Sequence, residues 1–423
     1  MAKQEKQRQI QVYSHWKGIE HPIEMGLLRA SLLRGKEIFA FEYAKTWLST
    51  LYAQQIDPDL QLYSGPQYVP SDKTNFGIFL DSSPDRWGRL LMRRREAALA
   101  RKEDRKPQDL YETDYLLGVF DGHRMGALRF KESDSGAFLN DNKELASPPW
   151  TSLRELAYAS LQLEEEDSVD QPEYLHWLNM LLAPGSSLGG ARPKASVLDD
   201  KENLWIAKFP SKADNRDIGA WEKVVHELAI KAGINMAEAR VEKFGSNQHT
   251  FLTKRFDRTN EGERIHFASA MTLLGYNDGT DHQEGASYLE LAEFITRFGS
   301  QVERDLEELW KRIVFNICVT NTDDHLRNHG FLLSEAGWQL SPAFDINPIE
   351  TGVGLKLNIS NTDNLLDLEL AKEVAPNFRI QPTKADAIEE QIVAIVKTWR
   401  IVASKFGISR SEQEMMSKAF RVE

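Results

Sequence analysis

The 423 residues contain a single cysteine, Cys318, so no internal disulfide can form. It lies in a strongly apolar stretch and reads as a small core residue rather than a nucleophile. No apolar run approaches the ~20 residues that span a bilayer, and no apolar core follows Met1-Ala2-Lys3-Gln4-Glu5-Lys6. The expected location is therefore the cytoplasm, with no membrane partner. Positive charge is also scarce. Lys+Arg 52 against Asp+Glu 64 gives a formal net charge of -12, which argues against an overall electrostatic footprint for nucleic acid. Internal repeats and long low-complexity tracts are missing. With 41% hydrophobic content, a chain of this length exceeds what one core fills and suggests two or three domains.

What is present has a clear order. From about Ile10 to Ala44, short strand patterns are punctuated by Gly18, Pro22, Gly26 and Gly35, as in a small β-rich module. A helix is expected after Pro84, with Asp81-Ser82-Ser83 offering caps and Trp87, Leu90 and Leu91 at helical spacing. It runs into the most basic segment, Arg93 to Lys106, which reads as a solvated face or, alternatively, as a patch for a partner or nucleic acid. Polar residues between Ser133 and Trp150 mark a boundary, and a helix from about Ser152 to Leu163 precedes the acidic loop Glu164-Glu165-Glu166-Asp167. Ala195 to Pro210 reads as a hairpin in which Leu204, Ile206 and Lys208 share one face. A lysine in that company either snorkels at an edge or binds phosphate. A helix from Ile218 to Ala232 follows, then strands Ala239 to Phe244 and Thr250 to Phe256, then helices over Tyr288 to Phe298 and through Leu306 to Ile317.

Two stretches carry chemistry. Asn321-Thr322-Asp323-Asp324-His325-Leu326-Arg327-Asn328 reproduces the D-x-x-x-x-N spacing of a protein kinase catalytic loop. After two short strands, Gly330 to Leu333 and Gly337 to Leu340, comes Phe344-Asp345-Ile346. Phosphoryl transfer needs a carboxylate to orient the attacking hydroxyl and oxygen ligands to hold magnesium, which Asp323, Asn328 and Asp345 can supply. Gly185-Ser186-Ser187-Leu188-Gly189-Gly190-Ala191-Arg192-Pro193-Lys194 permits close backbone approach to phosphate. It is neither a Walker A loop nor G-x-G-x-x-G, and taken alone it is a flexible turn as readily as a nucleotide loop.

Thr322 to Asn328 together with Ser341-Pro342-Ala343-Phe344-Asp345-Ile346 resembles the HipA family of bacterial toxin serine/threonine kinases. So do Ser187 to Lys194, Lys254-Arg255-Phe256-Asp257-Arg258, and Asn75 to Gly88. The resemblance implies an α+β, bilobal kinase-like fold: a β-rich subdomain over 1–135, a nucleotide-binding lobe over 150–257 and a helical lobe over 258–423. It implies Asp323 as catalytic base, Asn328 and Asp345 as magnesium ligands, and Lys208 on the ATP phosphates. Gly189, Gly190 and Lys194 would belong to the nucleotide loop, and His325 would organise the catalytic loop. Ser187 would be autophosphorylated, with Ser186 as the alternative. A phosphate there would add nearly two negative charges where ATP should bind. The glutamate partner of Lys208 is Glu222 or Glu227.

Partners implied by the same resemblance are a HipB-like helix-turn-helix antitoxin, DNA only through that antitoxin, and a protein substrate such as an aminoacyl-tRNA synthetase. Asn321-Thr322 stands where ordinary kinases carry His-Arg, and Phe344-Asp345-Ile346-Asn347 replaces Asp-Phe-Gly, so control by a phosphorylated activation loop is not expected. Two other readings stay open. One is a catalytically silent, nucleotide-bound co-repressor or scaffold. The other is a metal-dependent hydrolase built on Asp323, Asp324, His325, Asn328 and His329.

Overall fold

The computed structural model describes residues 7–182 and 192–422. The chain divides into two compact units, Met1–Ala207 with Asp257–Ala268 and Gly275–Asn277, and Lys208–Phe256 with Ser269–Leu274 and Asp278–Glu423. Among the described residues, no helix is long and apolar enough to cross a membrane.

In the first unit, β1 (Gln7–Ser14), β2 (Ile23–Leu33), β3 (Lys36–Tyr43), β4 (Gln67–Tyr68) and β5 (Leu128–Lys131) form an antiparallel sheet in the order β4-β3-β2-β1-β5. Leu33 pairs with Lys36, which leaves Arg34 (φ 51) and Gly35 (φ 81) as a two-residue turn of left-handed residues. Such turns match the twist of the flanking strands. Ile10, Val12, Leu28, Phe39 and Phe41 are buried on the sheet, and Phe79 packs between Phe41 and Phe130. Gly26 is required by the approach of β3, because a Cβ there would meet Glu42 O at 2.3 Å.

The helix after Pro84 forms, but its cap differs from the expected one. Gly77–Asp81 is itself a short helix, and the Ser82 and Ser83 hydroxyls donate back to Ile78 O and Phe79 O at its end. The long helix Arg86–Lys102 is capped instead by Asp85, which accepts from Gly88 N at 2.8 Å. Several basic residues of this helix and of the segment after it are engaged within the unit. Arg94 donates to Leu163 O at 2.9 Å, Arg95 to Asn179 Oδ1 at 2.8 Å, and Arg105 pairs with Glu96 at 2.5 Å. The expected hairpin is β6 (Lys194–Leu198) and β7 (Leu204–Lys208). Asp199 closes its turn by accepting from Lys201 N, Asn203 N and Trp205 Nε1. β7 ends on Lys208, where the second unit begins.

The second unit opens with the helix Ile218–Lys231, capped by Asp217, and an antiparallel hairpin of β8 (Ala239–Glu242) and β9 (Thr250–Lys254). The helix Tyr288–Phe298 starts with a reciprocal cap between Ser287 and Glu290. Along the helix Val302–Val319, the predicted apolar stripe of Leu306, Leu309, Trp310, Ile313, Val314 and Ile317 is fully buried. Cys318 is buried among them, and burial pushes its thiol up to about 12, which fits a core residue rather than a thiolate. The strands Gly330–Ser334 and Gly337–Leu340 pair as predicted, Phe331 opposite Leu340. Helices at Leu368–Glu373, Pro382–Val396, Trp399–Lys405 and Arg410–Met415 complete the unit.

Candidate active site

The 302–319 helix delivers the chain into the Asp323 loop through Thr320, a left-handed C-cap at φ 51. A threonine tolerates that conformation only under constraint from its surroundings. The loop is tied internally: His325 N donates to Asp323 O at 2.9 Å, Asn328 N to His325 O at 2.8 Å, and Asn328 Nδ2 to Asp323 O at 3.1 Å. Asp323 is exposed, whereas its neighbour Asp324 is buried. Adjacent carboxylates thus point to different environments.

Asp324 anchors the loop. Its Oδ2 accepts from Tyr288 Oη at 2.5 Å and Asn316 Nδ2 at 2.8 Å, and His329 Nε2 lies 2.9 Å away. Burial would raise its pKa, but the attraction of His329 and the bonds from His329 and Tyr288 outweigh it, and the carboxyl sits below the usual aspartate value. Burial and the adjacent Asp324 drive the Tyr288 phenol far above its ordinary value, so it stays a donor.

A relay of asparagines then joins the two sequence motifs. Asn321 Nδ2 donates to Asn316 Oδ1 at 3.1 Å, Asn347 N to Asn321 Oδ1 at 3.3 Å, and Asn347 Nδ2 to Asp345 Oδ1 at 3.1 Å. Asp345, itself left-handed at φ 58, accepts from Lys208 Nζ at 2.5 Å. Lys208 also donates to Glu222 Oε1 at 2.7 Å. Burial pulls the Lys208 ammonium down, yet Asp345 and Glu222 together hold it above the ordinary lysine value, so it is charged. Of the two candidate glutamates, Glu222 is the partner, while Glu227 pairs with Lys223 at 3.1 Å.

Asn328 Oδ1 and Asn347 Oδ1 are buried without a hydrogen-bond partner among the described residues. Buried amide oxygens in that state are costly unless something engages them, and with the Asp345 carboxylate they are the hard oxygen donors that magnesium takes. So few protein ligands suit a cation whose remaining positions are filled by phosphate oxygens and water. A transition-metal hydrolase site fits less well. Asp324 and His329 are committed to the buried network, and among the described residues no group of three or more His, Cys, Asp or Glu could hold a metal.

The remaining predicted residues fall in different places. Ser186, Ser187, Gly189 and Gly190 lie outside the described residues. Lys194 is buried at the start of β6 in the first unit, with Nζ 2.7 Å from Asp85 Oδ2. His325 holds the loop through its backbone, and its half-buried ring has no partner at Nδ1 among the described residues. Sequence reasoning assigned no role to Asn316, Asn321, Asn347 or Tyr288, and weighed Asp324 and His329 only as metal ligands. Asn321 and Asn347, each two residues from a motif carboxylate, were the available signal.

Residues 186–399, just over half of the 423, match the family model described as the HipA-like C-terminal domain. Over 267 residues the chain is 24% identical to the serine/threonine-protein kinase toxin HipA of Shewanella oneidensis, covering 56% of this chain and 60% of that one. Over 148 residues it is 28% identical to a Sinorhizobium fredii protein, Y4mE, named provisionally as a kinase, covering 33% of each. The chain thus spans a third to three fifths of the length of these curated relatives. Among solved structures it is similar to a Shewanella oneidensis MR-1 toxin-antitoxin complex of HipA, HipB and operator DNA, with TM-score 0.64 at 16% identity over 97% of this chain and 94% of that chain. At that identity the likeness speaks for the fold, and it agrees with the α+β class expected from the sequence.

Proposed function

The chain belongs to the HipA-like family, and from that premise we propose that it is an ATP-dependent serine/threonine protein kinase acting as the toxin of a toxin-antitoxin pair. The observation that carries this reading is the continuous polar chain from Asp324 through Asn316, Asn321, Asn347 and Asp345 to Lys208 and Glu222. It fixes the Asp323 loop relative to the lysine that would meet the nucleotide.

Asp323 is exposed and free to orient an incoming hydroxyl and accept its proton, while the buried Asp324 keeps the loop in place. Lys208 supplies positive charge for the phosphates and is aimed by Glu222. Asn328 and Asp345 would hold magnesium, with Asn347 adjacent, and that cation would neutralise charge on the transferred phosphoryl group. Ser187, or Ser186, is the proposed site of autophosphorylation. The proposed partner is a HipB-like antitoxin that makes the DNA contacts, and the substrate is a protein, with an aminoacyl-tRNA synthetase as the class to test first. Lobe boundaries near residues 150 and 258 belong to the same proposal.

The test is incubation of the purified protein with ATP and magnesium, followed by intact-mass and peptide analysis. One added phosphate that maps to Ser187 or Ser186 and vanishes in Asp323→Ala is expected. Unchanged mass and no transfer to any added protein, despite bound nucleotide, would favour the silent scaffold and overturn the kinase reading.

A further inference from the structure

Trp221 and Glu222 are consecutive on the helix Ile218–Lys231, so their side chains point about 100° apart around its axis. Glu222 faces Lys208. Trp221, 1% exposed, faces the C-terminal segment, with ring centroids 6.0 Å from Trp399 and 5.9 Å from Phe420. Trp399 and Phe420 stack on each other at 4.3 Å with only 6° between their planes. Polar bonds fix the same contact. Glu412 Oε1 accepts from Trp221 Nε1 at 2.8 Å and from the N-cap amide of Asp217 at 3.0 Å.

The same segment reaches the other half of the site. Arg421 N donates to Cys318 O at 2.8 Å, in the last turn of the helix that leads into the Asp323 loop. Its guanidinium donates to Gly352 O at 3.1 Å. Gly352 lies so close to the residue preceding Asp323 that a Cβ would meet Thr322 Cγ2 at 2.2 Å. One stretch of chain therefore touches the helix that carries Glu222, the helix end that launches the catalytic loop, and the loop that backs Thr322.

We infer that Trp399–Val422 is a built-in clamp that sets the rotation of the 218–231 helix so that Glu222 meets Lys208, with Glu412 and Phe420 as positioning residues. This inference rests on the kinase reading for its functional consequence. Kinases depend on a lysine–glutamate pair of this kind, and its formation is where helix position controls activity. A helix held by one face is free to roll, and a roll of one residue position would carry Glu222 about 100° away from the ammonium. Here a second face, about 100° around the axis, is pinned by an aromatic stack and by one Glu412 oxygen that accepts two bonds. The pair therefore forms without an external activating partner or a phosphorylated activation segment.

The experiment measures binding of a non-hydrolysable ATP analogue with magnesium to the full chain, its Phe420→Ala, Glu412→Ala and Glu222→Gln variants, and the Glu222→Gln doubles with each. Phe420→Ala should weaken binding about tenfold, about 1.4 kcal/mol. It should cause no further loss when Glu222 is already replaced, and Phe420→Tyr should restore affinity. An equal loss in both backgrounds overturns the clamp, because the segment would then act without Glu222. Glu412→Ala carries the same cycle if Phe420→Ala does not fold. Hydrogen exchange of residues 218–231 supplies a readout that needs no nucleotide. Faster exchange in Phe420→Ala and in Glu412→Ala is expected, and unchanged protection overturns the inference. If the unmodified chain binds no nucleotide, the kinase reading fails while the exchange result still decides the clamp.

Discussion

Lys208 and Asp345, 137 positions apart in sequence, meet at 2.5 Å between Nζ and Oδ1, and the same ammonium donates to Glu222. One cation therefore compensates two carboxylates, one on a helix and one beside the catalytic loop. Lys208→Met would leave the buried Glu222 and the half-buried Asp345 without that charge. The expected cost is about 3–5 kcal/mol in urea unfolding, with loss of ATP-analogue binding by calorimetry. Unchanged stability would show that neither carboxylate relies on this ammonium.

Asp323 and Asp324 should separate catalysis from stability. Asp323 is exposed, with no side-chain bond that the fold needs among the described residues, so Asp323→Ala should move stability by less than about 0.5 kcal/mol. Phosphoryl transfer should fall by about 10²–10⁴-fold. Asp324→Ala should instead strand Tyr288, Asn316 and His329, costing about 3–5 kcal/mol. Parallel thermal melts and transfer assays distinguish the two, and a stable Asp324→Ala protein would contradict its role as anchor.

Acid sensitivity should have a contribution from His266. This histidine is 1% exposed beside Trp16, and burial lowers its pKa to about 3. Unfolded, it titrates near 6.5, so the unfolded chain binds a proton that the folded chain refuses between pH ~6.5 and ~3. Its stability contribution is complete above pH ~6.5 and declines as pH falls toward 3. At pH 5 the loss should be about 2 kcal/mol. Comparing urea midpoints at pH 7 and pH 5 for the natural chain and His266→Phe isolates it. An identical pH dependence in both would remove His266 as the cause.

Asp85 and Lys194 form a buried pair at 2.7 Å in the first unit, 6% and 4% exposed, and Trp87 Nε1 donates to Lys194 O at 3.1 Å. Asp85 also caps the 86–102 helix, so removing Lys194 leaves a buried carboxylate whose remaining support is the helix-start amides. Lys194→Met alone should destabilise by about 3–5 kcal/mol, and adding Asp85→Asn should recover part of that. The check is chemical unfolding of both variants, with a double variant no better than the single as the contrary result.

Some of this was legible residue by residue. The 302–319 helix announces itself through its apolar spacing, and the 330–340 hairpin through alternation around Glu335-Ala336-Gly337. The D-x-x-x-x-N interval needs only one local turn, so its spacing survives folding. The helix cap shows the limit of local reasoning. Three good cap residues at Asp81-Ser82-Ser83 lost to Asp85, because the serines close the preceding helix.

What the sequence determined by itself is therefore several elements and their order, among them the 194–208 hairpin, the 218–231 and 302–319 helices and the 330–340 hairpin, and the residue types able to handle phosphate and magnesium, because periodicity and spacing act over a few residues. The choice of Glu222 over Glu227, the burial of Asp324 beside an exposed Asp323, and the passage from Asn316 through Asn321 and Asn347 to Asp345 belonged to the tertiary structure. Asparagine and glutamate carry no periodic signal, and a buried carboxylate is distinguished from an exposed one only when donors distant in the chain arrive to meet it.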